Sequence, residues 1–162
     1  MDHSSGDFFV RQLATYASYH RDSRNRATHF IGIPAIVFSL LIPLAFVDLG
    51  GISLASFIAL LAVIGWISLD RTIGLAMIVM MVPFLLIAEW IVRTYSVGTT
   101  WLIFAVLFIG GWLFQLVGHL WEGRRPALAD NLFQAFIGPM FIMAEVLMAL
   151  GLKQGLKTTI NR

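Results

Sequence analysis

The sequence predicts an all-α integral membrane protein. Four transmembrane helices form a bundle, preceded by an N-terminal amphipathic helix and followed by a broken C-terminal helical segment, re-entrant or a fifth span. Three observations predict it. Of 162 residues, 59% are hydrophobic and 12% charged, about half the ~25% charge usual in a soluble domain. Mean hydropathy is +0.84. Four runs of 17 to 25 residues contain no Asp, Glu, Lys or Arg, close to the ~20 apolar residues a spanning helix needs. Basic residues stand at the ends of these runs. Eleven basic and nine acidic residues cannot cover so much apolar surface in water, whereas in lipid that surface needs no cover. A soluble enzyme, a nucleic-acid binder and a disordered tail are therefore excluded. The net charge of +2 reads as a topology signal, and no nucleic-acid partner is expected.

The 162 residues are expected to form one membrane domain: an amphipathic surface helix over 7–21, a four-helix bundle over 29–120 and a broken segment over 126–152. The opening residues 1–9 hold two acids and no basic cluster, so no signal peptide is expected. Phe9, Leu13, Tyr16 and His20 recur at helical period on one stripe, while Arg11, Ser18 and Arg21 point elsewhere. That pattern suits a helix on the cytoplasmic face or packed against the bundle.

The spans follow in order. Phe30–Val47 has 18 residues and Leu49–Leu69 has 21. Thr72–Ala88 has 17, continued past Glu89 to Val92, and Thr94–Gly118 has 25. Pro34, Pro43 and Pro83 are tolerable inside membrane helices. The short connections Asp48–Gly51 and Leu69–Thr72 force neighbouring spans antiparallel. In the last run, Leu132–Leu152, Gly138–Pro139 is expected to divide the helix into halves, with Glu145 in the second.

Charge orients the bundle. With a cytoplasmic N-terminus, Arg11, Arg21, Arg24, Arg26, Arg71, Arg124 and Arg125 lie inside and Arg93 outside, as the positive-inside rule requires. Lys153, Lys157 and Arg162 join the inner set if the last segment is re-entrant, which the rule favours. The expected location is a multi-pass protein of the cell inner membrane in a bacterium, or of the endoplasmic reticulum in a eukaryote, among membrane lipids. A homo-oligomer is compatible with this plan. The chain has no cysteine, so disulfides, thiolate metal sites and cysteine nucleophiles are ruled out.

Polar groups gather at one depth. His29 opens the first span, His119 closes the fourth on the same side, and His20 ends the preceding helix. Topology alone brings these three together, while His3 belongs to the polar N-terminus. Tyr16 and His20, and Asn25 and His29, are four apart. Gln115, His119 and Glu122 share one helix face. Taken singly, each histidine reads as an interfacial anchor, Tyr16 and Trp90 as belt residues, Met77, Met80 and Met81 as core or lipid contacts, and Glu89 as a partner of Arg93. Three converging histidines with a nearby carboxylate suit Fe(II), Zn(II) or Mn(II). The set matches the facial pattern of non-haem iron oxygenases and equally a hydrolytic zinc site. Four histidines are too few for a di-iron histidine-box enzyme, and bis-histidine haem would place its ligands deeper.

Two segments then carry a pattern. One runs Tyr16, Tyr19-His20, Asn25-Arg26, Thr28 and His29-Phe30-Ile31-Gly32-Ile33-Pro34. The other runs Gln115, Gly118-His119, Glu122-Gly123, Arg125-Pro126-Ala127-Leu128, Asn131-Leu132 and Gln134. Together they resemble the family of membrane 2-hydroxy-fatty-acid dioxygenases, in order, from about Gln12 to Leu150. The resemblance implies Fe(II)-dependent α-oxidation, which yields a fatty acid one carbon shorter. The family's eukaryotic member acts in the endoplasmic reticulum on 2-hydroxy acids from phytosphingosine breakdown, and its histidines are needed for activity. Carried over, the iron ligands are His20, His29 and His119, with Glu122 added from its spacing as a carboxylate ligand or as a hydrogen-bonding partner of the ligands. Asn25, Glu122 and Arg125 complete the expected catalytic set; Arg125 or Arg26 would pair with the substrate carboxylate or, equally, anchor lipid headgroups. The partners so implied are a 2-hydroxy fatty acid and dioxygen. A non-enzymatic membrane scaffold is the alternative from the residues themselves. A small transporter ranks last, because few ionisable groups lie at mid-membrane.

Overall fold

The structure, a computed structural model, describes residues 3–160, with the side chains of residues 3–5, His3 included, outside the described part. The described residues form seven helices: α1 (His3–Ser18), α2 (Ser23–Ala45), α3 (Leu54–Leu69), α4 (Arg71–Thr94), α5 (Val97–Glu122), α6 (Phe133–Ala149) and α7 (Lys157–Ile160). α2, α4 and α5 are long and apolar enough to cross a membrane. α6 with the bent segment after it makes a fourth such stretch, and α3 is a shorter apolar helix.

The helix starts follow side-chain chemistry. Asp22, Ser53, Asp70 and Ser96 each accept a hydrogen bond from a backbone N–H in the first turn of α2, α3, α4 and α5 respectively, satisfying donors that have no partner inside the helix. α3 begins five residues later than the sequence predicts. Asp48 Oδ1 accepts from Gly50 N at 2.8 Å and Gly51 N at 2.7 Å, and both glycines sit at φ above +90°. This turn takes up Leu49–Ile52, which composition alone assigns to the membrane. The remaining 16 residues span about 24 Å at 1.5 Å per residue, short of a ~30 Å hydrocarbon core.

α2 and α5 are the most closely packed pair, and glycine makes the approach possible. A Cβ on Gly32 would lie 2.8 Å from Gly111 O, and one on Gly111 would lie 3.0 Å from Gly32 O. Helices in lipid gain most of their association from such close backbone packing. At the far end of the bundle, Glu89 accepts from Ser53 Oγ at 2.7 Å and Ser56 Oγ at 2.9 Å, and pairs with Arg93 at 3.3 Å. Glu89 is thus the structural staple expected, extended to α3.

The C-terminal segment differs from the reading of the sequence. Gly138–Pro139 does not break α6, which runs unbroken through Pro139. Gly138 serves close approach instead: an added Cβ would sit 3.1 Å from Tyr16 Oη and 3.3 Å from Ile33 Cδ1. The break comes at Gly151 (φ +83°), where Gly151 N donates to Met148 O and Leu152 N to Leu147 O, a glycine-terminated helix end. Beyond it the chain turns by 119° into α7.

Both ends of α6 are fastened to one end of the bundle. Asp130, just before α6, accepts from Tyr19 Oη at 2.7 Å, and Lys153, just after it, donates to Asp70 at 2.6 Å. Tyr19 precedes α2, and Asp70 follows α3, which returns the chain to that same end. A helix tethered so is expected to keep the chain on one side. Cysteines placed at Ser23 and Gly155 are therefore expected to label from the same side of sealed vesicles. Labelling from opposite sides would make α6 a span.

Candidate metal centre

His20, His29 and His119 converge where α1, α2 and α5 meet. All three are buried, and their ligand-capable nitrogens lie within 4.8 Å of one another. The ring centroids are 4.4 Å (His20–His29), 5.1 Å (His20–His119) and 5.0 Å (His29–His119) apart, each pair edge to face. Like-charged imidazolium rings at these distances would repel strongly. Burial, reinforced by His29, pushes the His20 imidazole down to about 2, so it is neutral at physiological pH, the form that ligates metals.

The backbone sets the ring orientation. His20 Nδ1 lies 2.7 Å from Tyr16 O, and His29 Nδ1 lies 2.8 Å from Asn25 O. A carbonyl only accepts, so each Nδ1 carries the proton and each Nε2 keeps its lone pair. Both contacts span four residues and use the backbone carbonyl, so they do not depend on the side chain at the earlier position. Tyr16 also stacks on His20, with centroids 4.1 Å apart and planes 10° from parallel, and is buried. It supports the site and is not a belt residue, whereas exposed Trp90 fits that role.

The donor set fits a metal ion. His20 Nε2 and His119 Nδ1 are buried with no hydrogen-bond partner among the described residues. Each such group costs about 1–3 kcal/mol when left unpaired. One divalent cation held by three neutral imidazoles satisfies such nitrogens together, and an all-nitrogen set suits Fe(II), Zn(II) or Mn(II).

Glu122 does not join the three histidines. Its Oε1 accepts from Arg21 N at 2.9 Å; its Oε2 accepts from Asp22 N at 2.9 Å and Asn25 Nδ2 at 3.0 Å. The carboxylate is committed to the α1–α2 connection, which carries His20. Asn25 is fully buried. Its Nδ2 also donates to Tyr19 O at 3.1 Å, so it orients His29 and the connection together. Arg125 does not line the cavity beside the histidines. It is largely exposed and ion-paired with Asp130. Tyr19, with Arg125 and Arg124, holds the Asp130 carboxyl below its ordinary range, which keeps that pair charged. Arg26 donates from Nε to His20 O at 2.6 Å and from Nη1 to Glu145 at 3.1 Å, so it braces the His20 backbone against α6.

A cavity of about 90 Å³ adjoins the histidines. Gln115 and Gln134 are polar groups on its wall, and Ile33, Ile36, Val37, Trp112 and Leu128 are apolar ones. Reading of the sequence places Gln115 and Gln134 at this end without a role. Gln134 adds a half-buried contact to Gln12 of α1 (2.7 Å), which links positions too far apart in the chain to be paired by spacing.

Fold and site together define a membrane helical bundle with a triple-histidine centre at one end. The chain belongs to the Mpo1-like family: residues 7–150 match the family described as "2-hydroxy-palmitic acid dioxygenase Mpo1-like". A relative from Saccharomyces cerevisiae, named 2-hydroxy-palmitic acid dioxygenase MPO1, is 38% identical over 153 residues, covering 93% of this chain and 86% of that protein. No solved structure matches. The resemblance read from the paired motifs is borne out.

Proposed function

We propose that the protein is an Fe(II)-dependent dioxygenase that shortens 2-hydroxy fatty acids by one carbon, in a membrane with its N-terminus cytoplasmic. The observation that carries this reading is the buried cluster of three histidines, with His20 Nε2 and His119 Nδ1 unpaired among the described residues. The yeast relative's name, 2-hydroxy-palmitic acid dioxygenase, supports the substrate class, and the basic residues at the histidine end support the orientation.

The overall change is balanced without a further reductant. R–CH(OH)–COOH and O2 give R–COOH, CO2 and H2O: the C1–C2 bond breaks, the acid loses four electrons and dioxygen gains four. When bound, Fe(II) supplies dioxygen activation and a chelating face for a carboxylate with an adjacent hydroxyl. His20, His29 and His119 would hold it. Tyr16 O and Asn25 O keep the Nδ1 protons of His20 and His29 in place. Ile33, Ile36, Val37 and Trp112 take the start of the alkyl chain and exclude water. Glu122 and Asn25 act through His20 and His29 as positioning residues.

The test is metal analysis of detergent-purified protein, then anaerobic Fe(II) loading and assay with 2-hydroxypalmitate. Iron retention and formation of pentadecanoate with CO2 are expected. Protein that holds no iron, or gives no pentadecanoate, overturns the reading. Glu122→Gln leaves one acceptor oxygen where three donors converge. It is expected to lower iron affinity by about 10–100-fold, the range typical of groups that orient a ligand, as read by chelator competition. An unchanged affinity would show that the connection holds His20 without Glu122.

A further inference from the structure

We propose that Gln134 recognises the 2-hydroxyl of the substrate, its Oε1 accepting that hydroxyl's hydrogen bond. The inference rests on the α-oxidation reading and adds to it the residue that separates hydroxylated from plain fatty acids.

Gln134 stands in the first turn of α6 and lines the cavity that the three histidines share. It is 1% exposed. Its Nε2 donates to Gln12 Oε1 at 2.7 Å, and with the amide turned this way Oε1 is the atom left over. Its Oε1 is buried with no partner among the described residues. Its backbone is held from just before α6, with Phe133 N donating to Asn131 Oδ1 at 3.0 Å and Gln134 N to Asn131 O at 2.9 Å. A rigidly held acceptor at the wall of a cavity demands a donor from whatever enters.

The chemistry of the head group selects that donor. An ionised carboxylate has no proton to offer, and the alkyl chain offers none. The 2-hydroxyl is the one group that donates. With a 2-hydroxy acid the Gln134 oxygen is paired. A plain fatty acid leaves it buried and unpaired, and a 2-oxo acid sets a second acceptor against it. Sites built to hydrogen-bond a substrate group reject analogues that lack it, because the protein's own group is then stranded.

The experiment measures binding under argon, so that no turnover occurs. Fe(II)-loaded protein at fixed detergent concentration is titrated with tritiated 2-hydroxypalmitate and competed with palmitate and 2-oxopalmitate. The parent is expected to prefer the 2-hydroxy acid. Gln134→Met keeps the length of the side chain and removes the amide. It is expected to reduce that preference by about tenfold, the effect of one neutral hydrogen bond and its stranded partner, with palmitate affinity not lowered and iron content unchanged. Gln12→Leu frees the amide to turn without touching the cavity wall and is expected to reduce the preference in the same direction, which keeps the test open if Gln134→Met does not fold. A full preference in either folded variant overturns the proposal. So does an equal loss for both acids, which would mark a contact to the carboxylate or to the chain. A parent that does not distinguish the two acids overturns the α-oxidation reading as well.

Discussion

His20→Ala, His29→Ala and His119→Ala are each expected to leave purified protein with little iron and to lower 2-hydroxypalmitate turnover by more than about 100-fold, beyond the range for groups that only orient a ligand. The cluster offers three imidazoles, and Glu122 is committed elsewhere by three hydrogen bonds. No fourth His, Asp or Glu among the described residues belongs to the cluster. The three variants differ in what else they disturb. His20→Ala also removes the ring that stacks on Tyr16, while His29→Ala and His119→Ala change the packed α2–α5 seam. Equal losses across all three would therefore point to coordination and not to packing. His3→Ala, in the polar N-terminus, is expected to match the parent. Iron content by elemental analysis, read beside substrate consumption, checks all four. Any of the first three that keeps full iron and full activity is not a ligand.

One methyl group at Gly118 is expected to have the second-largest effect. A Cβ there would run into Thr28 Oγ1 and Asn25 Oδ1, with Asn25 Cα at 3.2 Å. Neither side chain is free to yield. Thr28 Oγ1 donates to Asn25 O at 2.8 Å, and Asn25 Nδ2 bridges Tyr19 O and Glu122. The helices must part instead, against the close contact of Gly32 and Gly111 further along. Overpacking of this kind costs about 1–3 kcal/mol. It would also move His119, next in sequence to Gly118, away from His29, so iron should be lost together with thermal stability. Gly110→Ala is the control, because nothing lies within 4 Å of its added Cβ. Melting in detergent and iron content, measured on both, decide the matter. A Gly118→Ala protein with parental melting and iron would show that the seam is looser than drawn.

The spans were legible because lipid penalises charge, leaving long uncharged runs that α4 and α5 follow closely; α2 begins seven residues before its run, at Ser23. The meeting of His20, His29 and His119 was legible because an even number of crossings must return the chain to one side. The rest depended on contacts that spacing does not encode. Leu49–Ile52 is apolar enough to be membrane, yet Asp48 and two glycines at positive φ turn it into a connection. Gly138–Pro139 looked like a break, yet the small residue there admits the Tyr16 ring and the helix continues to Gly151. Glu122 lies on the His119 face of α5, and periodicity alone points it at the metal. Its partners are backbone N–H groups about a hundred residues earlier, invisible in a helical pattern. Arg125 likewise looked free to meet a carboxylate until Asp130, in the next turn of chain, was seen to hold it.

His20 differs from the other two histidines in where it comes from. α2 and α5 are already interlocked through their glycines, whereas α1 reaches the bundle from outside the spans. An ion shared by the three rings would therefore act as a bolt across that joint, cross-linking a peripheral helix to an intrinsic pair. Its stabilising effect would be concentrated on α1 and the connection behind it, since a ligand stabilises whatever binds it. Chelation would then loosen the protein unevenly: α1 would become open to proteolysis and hydrogen exchange while the α2–α5 seam stayed shut.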